Sequence, residues 1–118
     1  MGKQADVYTT NKPSQIYNRV SDIDQIQTAL QYTKRYDGLI FLDFTGYERI
    51  ARLTDMHEDW FDSHHKMIID HHEVTATKPL TTAYIVPEIS STCELLYEIR
   101  SFINPSVITP IVATHLYL

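Results

Sequence analysis

The apolar positions of this chain fall into short continuous runs, separated by longer stretches in which they recur every three or four residues. Leu39-Ile40-Phe41-Leu42 is the clearest run. It begins after Gly38 and ends in Asp43, the form of a parallel-sheet strand buried on both faces. Met67-Ile68-Ile69 repeats the pattern and ends in Asp70-His71-His72, and Ala83-Tyr84-Ile85-Val86 is a third run. Ala5 to Thr9 has the β-branched and aromatic content of a further strand, closed by the turn residues Asn11-Lys12-Pro13-Ser14.

Helical spacing fills the gaps. Gln15 to Val20 reads as a short helix. Ser21 and Asp24 form a weak capping box ahead of Ile23, Ile26, Leu30 and Thr33 or Lys34, a helix stopped at Asp37-Gly38. Tyr47, Ile50, Ala51 and Leu53 mark a helix after the first apolar run. Ser91-Thr92-Cys93-Glu94 is a capping box opening a helix through Leu95, Leu96, Ile99 and Phe102. Asn104-Pro105 starts a last helix, through Val107 to Leu118, whose Ile108, Ile111, Val112 and Leu116 face is expected on the sheet. This order predicts an α/β fold: an open, mainly parallel sheet with helices on both faces.

The 118 residues, 43% hydrophobic, suffice for one core and not for two. Ten Lys plus Arg against fifteen Asp plus Glu leave a net charge of −5, so no broad basic face is expected to hold duplex nucleic acid. The single cysteine, Cys93, excludes an intramolecular disulfide and a multi-cysteine zinc cluster, as suits a reducing cytoplasm. No apolar signal region opens the chain, and no run reaches the roughly 18 apolar residues of a membrane span. A cytoplasmic protein without a membrane partner is the expectation. Three glycines cannot build a Walker loop or a dinucleotide fingerprint.

Five of the six histidines fall between positions 57 and 72. In an open parallel sheet ligands bind beyond the carboxyl ends of the strands, and there two runs each deliver an acidic residue, Asp43 and Asp70, the second followed by His71 and His72. Carboxylates with imidazoles suit a divalent ion such as Mn²⁺, and a pair of such ions clamps a phosphate ester. His64 and His65 precede the second run and belong at its amino end, as exposed loop residues. His57-Glu58 lacks a histidine at position 61, where Phe61 stands, so the zinc-peptidase pattern fails. Asp55, Glu58, Asp59 and Asp62 read as a solvated acidic face, Cys93 as a small buried packing residue, and Trp60, Tyr47 and Phe61 as core aromatics.

The run Met67-Ile68-Ile69-Asp70-His71-His72 resembles the third motif of the DHH phosphoesterase family. The segment from Leu42-Asp43-Phe44 to Arg49-Ile50 resembles its second motif, and Ile89-Ser90-Ser91-Thr92-Cys93-Glu94 is similar to the helix start that follows in the nanoRNase and oligoribonuclease branch. The resemblance implies a partial, Rossmann-like N-terminal DHH domain over residues 1–118. Gly2 to Val7 would be the family's second strand, and Ile111 to Leu118 the helix before its fourth motif. On that reading the first and fourth motifs and the smaller substrate domain are missing.

Carried over by position, the resemblance makes Asp43 the carboxylate bridging two Mn²⁺ or Mg²⁺ ions and His71 the imidazole on the second ion. His72 becomes the catalytic histidine that meets the substrate phosphate. Asp70 stands behind them, orienting an imidazole by accepting its N–H. Arg49 pairs with a carboxylate or the substrate phosphate, or is only a solvated helix charge. The implied activity is hydrolysis of phosphoester bonds in short nucleotides or oligoribonucleotides, the isolated chain being inactive for want of ligands. The implied assembly is a homodimer or other self-association through leftover apolar surface. The reading from another class is a non-catalytic binding or scaffold module that keeps the sheet.

Overall fold

Three apolar segments pair into one parallel sheet: β1 (Leu39–Leu42), β2 (Lys66–Asp70) and β3 (Thr81–Ile85), in the order β1-β2-β3. The structure is a computed structural model that describes residues 3–44, 46–54, 57–73, 78 and 80–117. Gly2, Asp55 and Leu118, which the sequence places in a strand, an acidic loop and a terminal helix, lie outside the described residues. Leu39 pairs with Lys66 and Leu42 with Ile69, while Lys66 pairs with Thr81 and Asp70 with Ile85. The open parallel α/β sheet is the fold class expected. No helix of the described residues is long and apolar enough to cross a membrane.

Parallel strands need crossovers, and helical elements supply the one from β1 to β2. A 3-10 turn, Tyr47–Ile50, runs into α1 (Ala51–Thr54), followed by α2 (Glu58–Asp62) before β2. After β3 comes α3 (Thr92–Ile103), which packs on β2. Among the described residues the buried apolar ones are Phe44, Phe61, Ile68, Ile69 and Leu95, and the Phe44 ring lies 4.8 Å from that of Phe41 and 4.9 Å, edge to face, from that of Tyr47. The expected burial of the first run on both faces does not hold. Ile40 is 65% exposed and Leu42 49%, because β1 is an edge strand whose second face is uncovered among the described residues. In the central strand Lys66, Ile68 and Asp70 are buried on one face, while on the other Ile69 is buried and Met67 is exposed.

The N-terminal third departs most from the sequence reading. The strand expected at Ala5 to Thr9 is reduced to a single parallel bridge between Tyr8 and Gln27, made by Gln27 N–H to Val7 O and Thr9 N–H to Gln27 O, both 2.9 Å. The helix expected from Ile23 to Lys34 is only a 3-10 turn, Ile23–Gln25, and that expected from Gln15 to Val20 is Gln15–Tyr17. Asp22 sits in the left-handed region at φ 62°, and Ser21 gives no cap; its hydroxyl bonds His115 Nε2 at 3.0 Å instead. Side chains hold the segment where helical bonds do not. Tyr36 donates to Asp6 at 2.8 Å and lies 2.9 Å from the Tyr8 hydroxyl, Lys34 pairs with Asp6, and the Tyr32 hydroxyl donates to Leu53 O.

The C-terminal helix is also interrupted. Pro105–Val107 is a 3-10 turn and α4 covers only Pro110–Tyr117. Pro110 disfavours a helical conformation at Thr109, whose hydroxyl instead accepts from Val112 N–H at 3.3 Å and caps the new helix. Contrary to expectation, α4 lies against α3, and Ile111 is 59% exposed. Cys93 is exposed, not buried: in the first turn of α3 the inward positions are taken by Thr92 and Leu95. Glu58 and Asp62 are not merely solvated, since Lys78 pairs with Glu58 and lies 3.8 Å from Asp62.

Two outcomes test this packing. Leu95→Ala, at a 1% exposed position on α3, is expected to lower unfolding free energy by about 2–5 kcal/mol in urea denaturation; Phe102→Ala, at 92% exposure, by less than about 0.5 kcal/mol. The Lys34 hydrogen bond, then that from Tyr36, holds the Asp6 carboxyl below its ordinary value of 3.8. A depressed carboxyl stabilises the fold above that value and ceases to as pH falls through its folded value. The melting temperature of Asp6→Asn should therefore trail the parent at neutral pH, and the gap should close on acidification below pH 3.8.

Candidate metal centre

The parallel register sets the site before any side chain is considered. Beyond the Leu42–Ile69 pair, Asp43 N–H donates to Ile69 O at 3.2 Å, which brings Asp43 level with Asp70 at the carboxyl edge. Asp43 itself leaves the strand with φ 53°, a conformation that aspartate tolerates better than most side chains. Its carboxylate stays 63% exposed.

Asp70 is the opposite case, with no exposed surface. An isolated charge there is costly, so its hydrogen bonds decide its state. Its Oδ1 accepts from His71 N–H at 2.6 Å, His72 N–H at 2.8 Å and His72 Nδ1–H at 2.8 Å. Burial pushes the Asp70 carboxyl up, but the backbone and side-chain bonds from His72 and the backbone bond from His71 outweigh it and hold the group below 3.8. Oδ2 is buried with no hydrogen-bond partner among the described residues.

These bonds fix the imidazoles. An ionised carboxylate only accepts, so His72 carries its proton on Nδ1 and presents Nε2 as a lone pair. His71 Nδ1 lies 3.3 Å from Ile89 O, a backbone acceptor, which sets the same tautomer. Its Nε2 is 3.8 Å from Asp43 Oδ1, and His72 Nδ1 is 3.7 Å from the same oxygen. The two rings are 4.0 Å apart. Thr92, at the start of α3, donates to Asp43 Oδ1 at 3.1 Å.

Asp43, Asp70, His71 and His72 each offer one ligand atom, and these atoms lie within 4.8 Å of one another. Ligands on opposite sides of an ion bound at about 2.1 Å stand roughly 4.2 Å apart, a spacing close to that of this group. The donor set fits a divalent cation: mixed carboxylate and imidazole atoms, an orphaned buried carboxylate oxygen, and each histidine anchored through its other nitrogen, as metal-binding histidines are. A cavity of about 290 Å³ lies elsewhere, among Tyr8, Tyr36, Leu39, Phe41 and Phe61.

Other sequence candidates stay apart from the group. Arg49 is exposed on the 3-10 turn after β1, with no hydrogen bond or ion pair to the cluster among the described residues. His64 and His65 precede β2, and His65 O accepts from Leu39 N–H at 2.9 Å, at the amino ends of the strands. His64 is half-buried where full exposure was expected, its ring 4.2 Å from that of Trp60. Sequence reasoning left Thr92 and the Ile89 carbonyl without roles. The Ser-Ser-Thr-x-Glu pattern flagged the segment, but only the packing of α3 brings it to Asp43.

The sequence matches no protein-family model, and no curated protein matches it. Among solved structures, the crystal structure of an exopolyphosphatase-related protein from Bacteroides fragilis is similar over 95% of this chain, with 25% identity and a TM-score of 0.70. The chain spans 34% of that protein's length. The carboxylate–histidine cluster thus stands in a chain whose fold is similar to that of part of an exopolyphosphatase-related protein.

Proposed function

We propose that this chain forms the metal-holding part of a DHH-type phosphoesterase, acting with two Mn²⁺ or Mg²⁺ ions on phosphoester bonds of short nucleotides or oligoribonucleotides. The observation that carries the reading is the convergence of Asp43, Asp70, His71 and His72 at the carboxyl edge of two parallel strands. The likeness to an exopolyphosphatase-related protein supports a phosphoester or phosphoanhydride substrate.

In this reading Asp43 and His71 Nε2 hold the metal. Bound divalent ions supply Lewis acidity and a nucleophile from water at neutral pH. His72, held by its Nδ1–H on Asp70, turns its Nε2 edge toward the place of the substrate phosphate. Asp70 keeps both imidazoles in place through the two backbone amides and the one ring nitrogen that it accepts from. Arg49, exposed one turn beyond Asp43, belongs in this reading to substrate phosphate.

Calorimetry with Mn²⁺ is the direct test. Binding is expected to the parent chain, to be abolished by Asp43→Ala or His71→Ala, and to weaken about 10- to 100-fold in Asp70→Asn, which removes a hydrogen-bond partner behind a ligand. Four candidate ligands are fewer than two octahedral ions require. Hydrolysis of a generic phosphodiester, a dinucleotide and a short polyphosphate by the 118 residues in millimolar Mn²⁺ should therefore stay at background. Absence of Mn²⁺ binding, or binding indifferent to Asp43 and His71, would overturn the proposal.

A further inference from the structure

Thr92 holds a buried hydroxyl that the helix it belongs to does not use. The residue is 5% exposed in the first turn of α3. Helix starts need acceptors for their free N–H groups, and here those come from elsewhere. Ser91 Oγ accepts from Glu94 N–H at 3.1 Å, and the Glu94 carboxylate turns back to accept from Ser90 N–H at 3.1 Å and from the Ser90 hydroxyl. With the cap complete, the Thr92 hydroxyl donates across 49 residues of sequence to Asp43 Oδ1, at 3.1 Å.

Asp43 needs such a contact. It stands past the end of β1 in a left-handed conformation, with a mostly exposed carboxylate that the strand ladder does not orient. A threonine side chain is stiff at χ1, and the capped helix fixes its backbone, so the hydroxyl is aimed by the fold. A hydrogen bond to an ionised acceptor is among the stronger ones. Among the described residues it occupies Oδ1 and leaves Asp43 Oδ2 without a hydrogen bond.

We infer that Thr92 is a positioning residue, which selects one rotamer of Asp43 and thereby sets the metal affinity of the centre; the inference rests on the metal site proposed above. It makes the Ser90–Glu94 segment part of the site, through a helix start that contributes a fixed hydroxyl.

The test compares Thr92→Val, which keeps the branched shape and removes the hydroxyl, with Thr92→Ser, which keeps the hydroxyl. Two readouts are needed: Mn²⁺ affinity by calorimetry, and the three-bond NMR couplings to the Asp43 carboxyl carbon in the metal-free chain. The parent and Thr92→Ser should show couplings of one Asp43 rotamer, and Thr92→Val averaged values with Mn²⁺ binding weakened about 10-fold or more. A Thr92→Val chain with parent-like couplings and affinity overturns the inference. Averaging in Thr92→Val without any Mn²⁺ binding by the parent sustains the positioning of Asp43, and removes the metal reading alone. Should Thr92→Val fail to fold by circular dichroism, Thr92→Ala, which also removes the hydroxyl, takes its place: parent-like couplings and affinity in that variant overturn the inference, and averaged couplings sustain it.

Discussion

A carboxylate with no exposed surface closes the central strand, and the rest of the site is arranged around it. Asp70 retains its charge in the interior only because three N–H groups converge on its Oδ1. Two of these are the next backbone amides, so satisfying the charge also dictates the turn that follows β2. The third is the His72 ring. One buried charge thus determines the course of the chain, the tautomer of an imidazole and the direction of its free nitrogen.

The parallel pairing of β1 with β2 carries that order across the sheet. Register places Asp43 beside Asp70. The helix after β3 then completes the arrangement, since α3 packs Leu95 over β2 while its first turn delivers Thr92 to Asp43. Fold stability and site geometry therefore share the same few residues. The buried apolar set is small, and the uncovered face with Ile40 and Leu42 means that the sheet's packing is concentrated on one side.

The similarity to an exopolyphosphatase-related protein spans most of this chain and about a third of that one. What the chain itself holds is a sheet, a carboxyl edge and four candidate ligands, a division common in α/β proteins, where a sheet edge presents the chemistry and other elements shape the substrate pocket. The cavity beside Tyr36 and Phe61 lies away from that edge, so the cavity and the carboxylate–histidine cluster are separate features of this fold.

Sequence alone determined the three strands, their parallel sense, the capped start of α3, and the gathering of Asp43, Asp70, His71 and His72 at one edge. These rest on short-range signals, continuous apolar runs ending in acidic residues and a Ser-x-x-Glu cap, reinforced by the resemblance of the motifs. Tertiary structure decided the rest. Apolar spacing from Ile23 to Lys34 satisfied a helical pattern, yet the Tyr8–Gln27 bridge and the Asp6, Lys34 and Tyr36 contacts prevailed, because they join residues about twenty to thirty apart that no local pattern registers. The exposure of Ile40, Leu42 and Cys93 was illegible for a related reason: hydrophobicity says which residues prefer burial, and only packing says which faces are covered. Thr92 belongs to the same class, a residue whose role comes from a partner 49 positions away.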